Sequence, residues 1–173
     1  MLIPEKCHPW AEIQRPNADY ASSVAEDFRQ IEPFLPSEVS SILDIGCGLA
    51  GIDVYLKRKY PNARLELLDG GGTADMQPRY DYDGNKPYCS RAATELLLEA
   101  NGVKVDRWHD VGTQDLRADL VISLLSWGFH FPLSAYRVSG FCIADIRRGR
   151  EKVDGQVIYR AEKYDRTAFR CSF

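Results

Sequence analysis

Two acids bracket a run of glycines in this chain. Asp44 stands two residues ahead of Gly46-Cys47-Gly48, Gly51 follows, and Asp69 ends the next apolar run. Glycines at a strand-to-helix turn let the backbone approach a polar or anionic ligand closely. An acid about 20 residues further on is placed to accept both hydroxyls of a ribose. The spacing therefore predicts a nucleoside-cofactor site. Gly46-Cys47-Gly48-Leu49-Ala50-Gly51 also satisfies the dinucleotide pattern G-x-G-x-x-G, which alone would suggest an NAD(P)-linked oxidoreductase. Asp44 argues against that reading, because a carboxylate at the strand end repels a pyrophosphate and suits an amine-bearing or cationic ligand.

A second group of candidates follows a strongly apolar run, Asp119 to Leu125: Ser126, Trp127, Gly128, Phe129, His130, Phe131 and Pro132. In an open α/β sheet, ligands bind outside the carboxyl ends of the strands. This segment should then face the glycine turn and meet whatever receives a transferred group. His130, with an ordinary imidazole pKa of about 6.5, suits a general base. Ser126 and Trp127 would shape the acceptor side, and Arg147, followed by Arg148, would hold a phosphate or carboxylate. The plainer reading makes these aromatics and His130 packing residues and the arginines solvated charges. His109, beside Asp110, is a second candidate base, and His8 carries no signal.

The elements that must position these residues alternate. Met1 to Asn17, with Pro4, Pro9 and Pro16, reads as an extended arm anchored by Trp10. Val24, Phe28, Ile31 and Leu35 predict a helix over Ala18 to Leu35, capped by Asp19 or Ser22 and ended by Pro36. Ile42 to Ile45 is a strand, Asp53 to Tyr60 a helix and Ala63 to Leu68 a second strand. The segment from Asp69 to Ser90, with Tyr80, Tyr82 and Tyr88, reads as a long loop, either functional or a surface excursion. Ser90 caps a helix over Arg91 to Asn101, with Gly102 at its C′ position. Strands follow at Val103–Trp108, Asp119–Leu125 and Phe141–Ile146, with a short helical piece over Leu133 to Val138. Gln156–Arg160 and Ala168–Phe173 are joined by too few residues for a parallel crossover and must pair antiparallel.

The chain's 173 residues, 45% hydrophobic, suit one domain with its own core. A net charge of −3, with no long basic block, gives nucleic acid no support as a partner. Five cysteines scattered singly suggest neither a disulfide framework nor a metal site. A reducing cytoplasm fits them best. The first ten residues do not read as a signal peptide, and no apolar run approaches the ~18 residues of a membrane span.

Leu43-Asp44-Ile45-Gly46-Cys47-Gly48, together with Asp69 and Asp119-Leu120-Val121-Ile122-Ser123, resembles the class I S-adenosylmethionine-dependent methyltransferases. The resemblance covers roughly Ala18 to Phe173. It implies a Rossmann-like methyltransferase sheet of seven strands, mostly parallel, with helices on both faces. Its antiparallel C-terminal hairpin would insert the seventh strand between the fifth and sixth. Residues 1–173 would form a single domain, 1–17 the arm and 18–173 the core. It implies S-adenosylmethionine as cofactor, with Asp44, Gly46 and Gly48 beside the methionine portion, Asp69 on the ribose and Asp110 at the adenine amine. Ala50 departs from the family, standing where a third glycine is usual. The segment after the fourth strand lacks the Asn/Asp-Pro-Pro-Tyr signature of many amino-group methyltransferases, so O-methyl transfer to a small hydroxyl-bearing acceptor, such as a sugar, is the expectation. A non-catalytic S-adenosylmethionine-binding module or partner subunit is the alternative.

Overall fold

The computed structural model describes residues 1–70 and 89–172. The long loop expected over Asp69 to Ser90, with its tyrosines, lies almost entirely outside them. Among the described residues one sheet runs through the molecule. Its strands are β1 (Ser41–Ile45), β2 (Arg64–Leu68), β3 (Arg107–His109), β4 (Asp115–Ser123), β5 (Arg137–Arg147), β6 (Gly155–Arg160) and β7 (Tyr164–Cys171). Their order is β3-β2-β1-β4-β5-β7-β6. β1 to β5 pair in parallel, and β7 runs antiparallel between β5 and β6, as the short hairpin connection required.

Helices α1 (His8–Gln14), α2 (Tyr20–Ile31), α3 (Gly51–Lys59) and α4 (Arg91–Ala100) all send buried side chains into one core cluster. Ala11, Val24, Val54 and Leu97 meet Ile42, Leu65 and Leu120 of the sheet there. A second cluster, among the described residues, is built without these helices, from Leu43, Ile45 and Val121 together with Leu116, Tyr136 and Val138.

A bend in the two longest strands explains the second cluster. β4 and β5 shift register between Arg117 and Leu120. At that point Gly140 comes so close to its neighbour that a Cβ would lie 2.1 Å from the Ala118 carbonyl oxygen. Tyr136 immediately precedes β5, yet it shares a pocket with Gly46 and Asp69 at the carboxyl ends of β1 and β2. A straight strand at about 3.3 Å per residue would leave it at the opposite end of the sheet. The first stretch of β4 and β5 therefore folds back over the sheet face, where its Leu116, Tyr136 and Val138 pack on Leu43, Ile45 and Val121.

Several boundaries differ from the sequence expectation. The arm is helical rather than extended: a 3-10 turn at Glu5–Cys7 leads into α1, and Pro9 falls in the first turn, where no backbone donor is missed. Cys7 and Ala11 are buried, while Trp10 is only partly so. The helix expected over Ala18 to Leu35 stops at Ile31 because Pro33 has no N–H to continue it, and a 3-10 turn at Glu32–Phe34 follows. Asp19 is its cap, accepting from the Ala21 N–H at 3.2 Å. β3 starts late, at Arg107, once the Asp106 carboxylate has accepted from the Leu65 N–H at 2.8 Å. The helical piece after β4 is a 3-10 turn at Leu133–Ala135.

Candidate functional site

β1 ends at Ile45, and the chain turns through three left-handed residues, Gly46, Gly48 and Ala50, with φ of 75°, 53° and 56°. Ala50, the departure noted above, thus occupies a backbone conformation that favours glycine. Gly48 is held from three sides. Its N–H donates to Asp69 Oδ2 at 2.8 Å, its carbonyl accepts from the Thr94 hydroxyl at 2.6 Å, and a Cβ on it would lie 2.4 Å from Gln14 Nε2. A Cβ on Gly46 would lie 2.0 Å from Ser126 Oγ. The loop is thus a narrow seam on which protein side chains already sit close. Asp69 at the end of β2 serves it with one oxygen, at the position from which a ribose would be read.

Beneath the seam lies a pair of carboxyl groups. Asp44, 3% exposed, and Asp53 in the first turn of α3, fully buried, sit close enough to titrate together. Burial raises Asp44 well above the usual carboxylate range, and Asp53 and Asp69 push the same way. Burial likewise raises Asp53, to about 7, with Asp44 opposing part of the rise. The Asp53 carboxyl group has no hydrogen-bond partner other than Asp44 among the described residues. Two such groups cannot both ionise cheaply, so the pair retains a proton.

Two compartments open on either side of the seam, and Gly46, Leu124 and Leu125 border both. The first is lined by Asp69, Ser126, His130, Phe131 and Tyr136, with about 550 Å³ of empty space counting the solvent at its mouth. The second is lined by Gln14, Arg15, Tyr20, Asp44 and Gly48. Gln14 Nε2 is buried there with no partner among the described residues. An orphan amide donor, a guanidinium and a buried carboxyl group together match the two ends of an α-amino acid.

The acceptor-side candidates separate. Ser126 and His130 line the first compartment. His130 is half-buried, and burial, then Arg147 and Arg150, lower its pKa, which keeps the imidazole neutral at pH 7. The Phe129 ring meets it edge-on at 4.7 Å, and Arg150 Nη1 donates to the carbonyls of Phe129 and His130 at 3.1 and 2.9 Å. Arg147 is exposed at the end of β5, its guanidinium 5.9 Å from the Phe129 ring centre. Trp127, expected to shape the acceptor side, is instead a core residue, 1% exposed. Its indole N–H donates to the Leu133 carbonyl at 2.9 Å. Among the described residues no helix joins the cluster on this face of the sheet, and Trp127 supplies a large side chain to it. Asp110 is exposed in the turn after β3, one residue beyond the His109 that pairs with Leu68, and is not itself among the residues lining either compartment. His109 lies outside both as well, with Nε2 2.6 Å from the Glu66 carboxylate.

Sequence reasoning missed Gln14, Arg15, Tyr20, Asp53 and Tyr136. Gln14 and Arg15 sat in a segment read as an arm, and Asp53 read as an ordinary acid at a helix N-terminus. Gly140 inside a strand was the one available sign of the bend that brings Tyr136 in. Among the described residues no group of acids, histidines or cysteines is placed to hold a metal ion, and no helix is long and apolar enough to cross a membrane.

No protein-family model matches the chain, and no curated protein matches it significantly. Solved structures do match in shape. The 16S rRNA N2 G1207 methyltransferase RsmC of T. thermophilus, solved with AdoMet and guanosine, is 16% identical with a TM-score of 0.54, over 90% of this chain and 44% of that one. The PH0226 protein of Pyrococcus horikoshii OT3 is 18% identical with a TM-score of 0.50, over 86% and 64%. Residues 961–1257 of the StiE O-MT are 15% identical with a TM-score of 0.50, over 83% and 51%. The chain spans less than two thirds of the length of each. With the sheet order and the inserted antiparallel β7, these likenesses show that the chain has the class I S-adenosylmethionine-dependent methyltransferase fold.

Proposed function

We propose that the chain is an S-adenosylmethionine-dependent methyltransferase acting on a small hydroxyl-bearing acceptor, with sugars the first class to try. The observation that carries this reading is the paired compartment across the glycine seam. One side offers an acid for ribose hydroxyls, the other a donor and acceptor set for an amino acid, and a nucleoside joined to an amino acid needs both. Asp69 takes the ribose, Gln14 and Arg15 the carboxylate, and Asp44 the amine, directly or through water. Bound there, S-adenosylmethionine supplies an electrophilic methyl group on a sulfonium. The residues of the chain have then to align the acceptor and remove its proton. His130, neutral and facing the first compartment, takes that proton, and Ser126 and Arg147 orient the acceptor, Arg147 through an anionic substituent where there is one. Asp110 at the adenine amine remains part of the proposal.

A pyrophosphate over two buried carboxyl groups is electrostatically poor, so an NAD(P)-linked reading is not favoured. The second reading is a non-catalytic S-adenosylmethionine-binding module. The closeness of Ser126 to Gly46 and of Gln14 to Gly48 favours it, since a site already lined so tightly can bind without turning over.

Thermal-shift measurements with S-adenosylhomocysteine and with NAD decide the cofactor. The first should raise Tm, the second should not, and Asp69→Ala should lose the rise in proportion to at least a tenfold weaker affinity. An acceptor panel then separates the two readings. Turnover that falls about 100-fold in His130→Ala supports catalysis, whereas binding without any turnover sinks it in favour of the module.

A further inference from the structure

One buried cation is linked, through one carboxylate on each branch, to both sides of the seam. Arg166 on β7 is 1% exposed, and all three nitrogens of its guanidinium donate hydrogen bonds. Nε and Nη2 donate to the two oxygens of Asp145 at 2.8 and 3.2 Å. Nη1 donates to Asp27 Oδ1 at 2.9 Å and to Gln30 Oε1 at 3.0 Å. The two carboxylates lead onward to the site. Asp145, on β5 and fully buried, accepts the Leu125 N–H at 3.1 Å. Leu125 has φ of 63°, a left-handed conformation that a leucine holds only when its surroundings impose it. The next residue is Ser126, whose side chain meets Gly46. On the other branch, Asp27 Oδ2 accepts from Arg15 Nη2 at 2.6 Å, and Arg15 lines the second compartment.

We infer that Arg166 is a positioning residue for the proposed cofactor site, setting both walls of the glycine seam from the C-terminal hairpin. Through Asp145 it holds Leu125 left-handed and so places Ser126 over Gly46. Through Asp27 it orients Arg15 toward the second compartment. The bidentate fork to Asp145 and the third bond to Asp27 need a planar guanidinium. A lysine would keep the charge but release one of the two walls. The hairpin, remote from the site in sequence, thereby becomes part of its specificity. Because Asp27 is shared between Arg15 and Arg166, a ligand carboxylate that draws Arg15 away alters the field at Asp145 and Leu125, which couples the two compartments.

The inference rests on the cofactor reading only for its ligand, so the test reads the loop as well. Amide hydrogen exchange at Leu125, S-adenosylhomocysteine affinity by calorimetry, and Tm are measured in the wild type, Arg166→Lys and Asp145→Asn. Arg160→Lys, at an exposed partner of Asp165, is the control. Arg166→Lys should stay folded, with Leu125 exchange at least tenfold faster and S-adenosylhomocysteine at least tenfold weaker, while the control changes neither. Leu125 protection and affinity at wild-type levels in a folded Arg166→Lys would overturn the inference. Where Arg166→Lys does not fold, Asp145→Asn is read the same way, and failure of both to fold leaves Arg166 a purely structural residue and refutes it. If the wild type itself does not bind S-adenosylhomocysteine, the cofactor reading fails on its own and Leu125 exchange still decides the positioning role.

Discussion

Asp53 sits fully buried at the start of α3, below the glycine turn, with no partner but the Asp44 carboxyl group among the described residues. Its cost shows as a pH dependence whose sign follows from proton counting. Burial raises its pKa from the ordinary carboxylate range to about 7. Between the unfolded value, about 4, and the folded one, the native state therefore holds more protons than the unfolded state. Stability from this group is present below the unfolded pKa and is lost as pH rises toward 7. Asp53→Asn should raise stability at pH 8 by on the order of 2–4 kcal/mol and flatten the decline between about pH 4 and about pH 7, as read by denaturant unfolding. A wild-type protein equally stable across that window would show that the carboxylate finds a partner. Asp44, Gly46, Gly48 and Asp69 were legible in the sequence because a strand, a turn and a helix bring near neighbours together locally. Asp53 was not, since nothing in a helix-starting acid reveals that the helix end is sealed beneath a second carboxyl group.

The folded-back start of β4 and β5 carries the first compartment's outer wall. Tyr136 reaches Asp69 only through that bend, and Gly140 makes the bend possible. Gly140→Ala would drive a methyl into the Ala118 carbonyl at 2.1 Å with φ at 154°, so a destabilisation of about 3 kcal/mol or more is expected. Survivors should also bind ligand more weakly, because Tyr136 retreats with the strand. A Gly140→Ala protein with wild-type denaturant midpoint would argue that the strands run straight. Apolar runs placed the strand cores well, since β1, β2 and the middle of β5 are largely buried and read as apolar stretches broken only by Asp44, Glu66 and Asp145. The extensions Asp115–Arg117 and Arg137–Ser139 alternate in burial and carry charges, which resemble a loop until tertiary contact closes them over the core. The arm failed for the opposite reason: its prolines suggested extension, while Cys7 and Ala11 supplied the burial that makes a short helix hold.

At the scale of the whole molecule, the likeness to longer proteins covers 83–90% of this chain. Among the described residues, one face of the sheet packs against four helices and the other against side chains from the strands and their connections. That architecture concentrates the binding elements at one rim and ties them to the last elements of the chain, through Arg166 to Asp145 and Asp27. A chain shortened after Arg160 keeps every motif residue from Asp44 to Arg147, yet leaves β5 without its antiparallel neighbour and Asp145 buried without its cation. Such a chain should show no cooperative unfolding transition and rapid proteolysis, and a sharp transition in it would refute the dependence.

β7 lies between β5 and β6, so the sheet is assembled out of the order in which it is made. During synthesis β6 emerges first and has no strand to pair with, while the outer edge of β5 stays open. Only when Tyr164–Cys171 leaves the ribosome can both gaps close at once. Until β7 is made and docked the outer edge of β5 is exposed, an interval in which chaperones and neighbouring chains compete with β7 for the same hydrogen bonds.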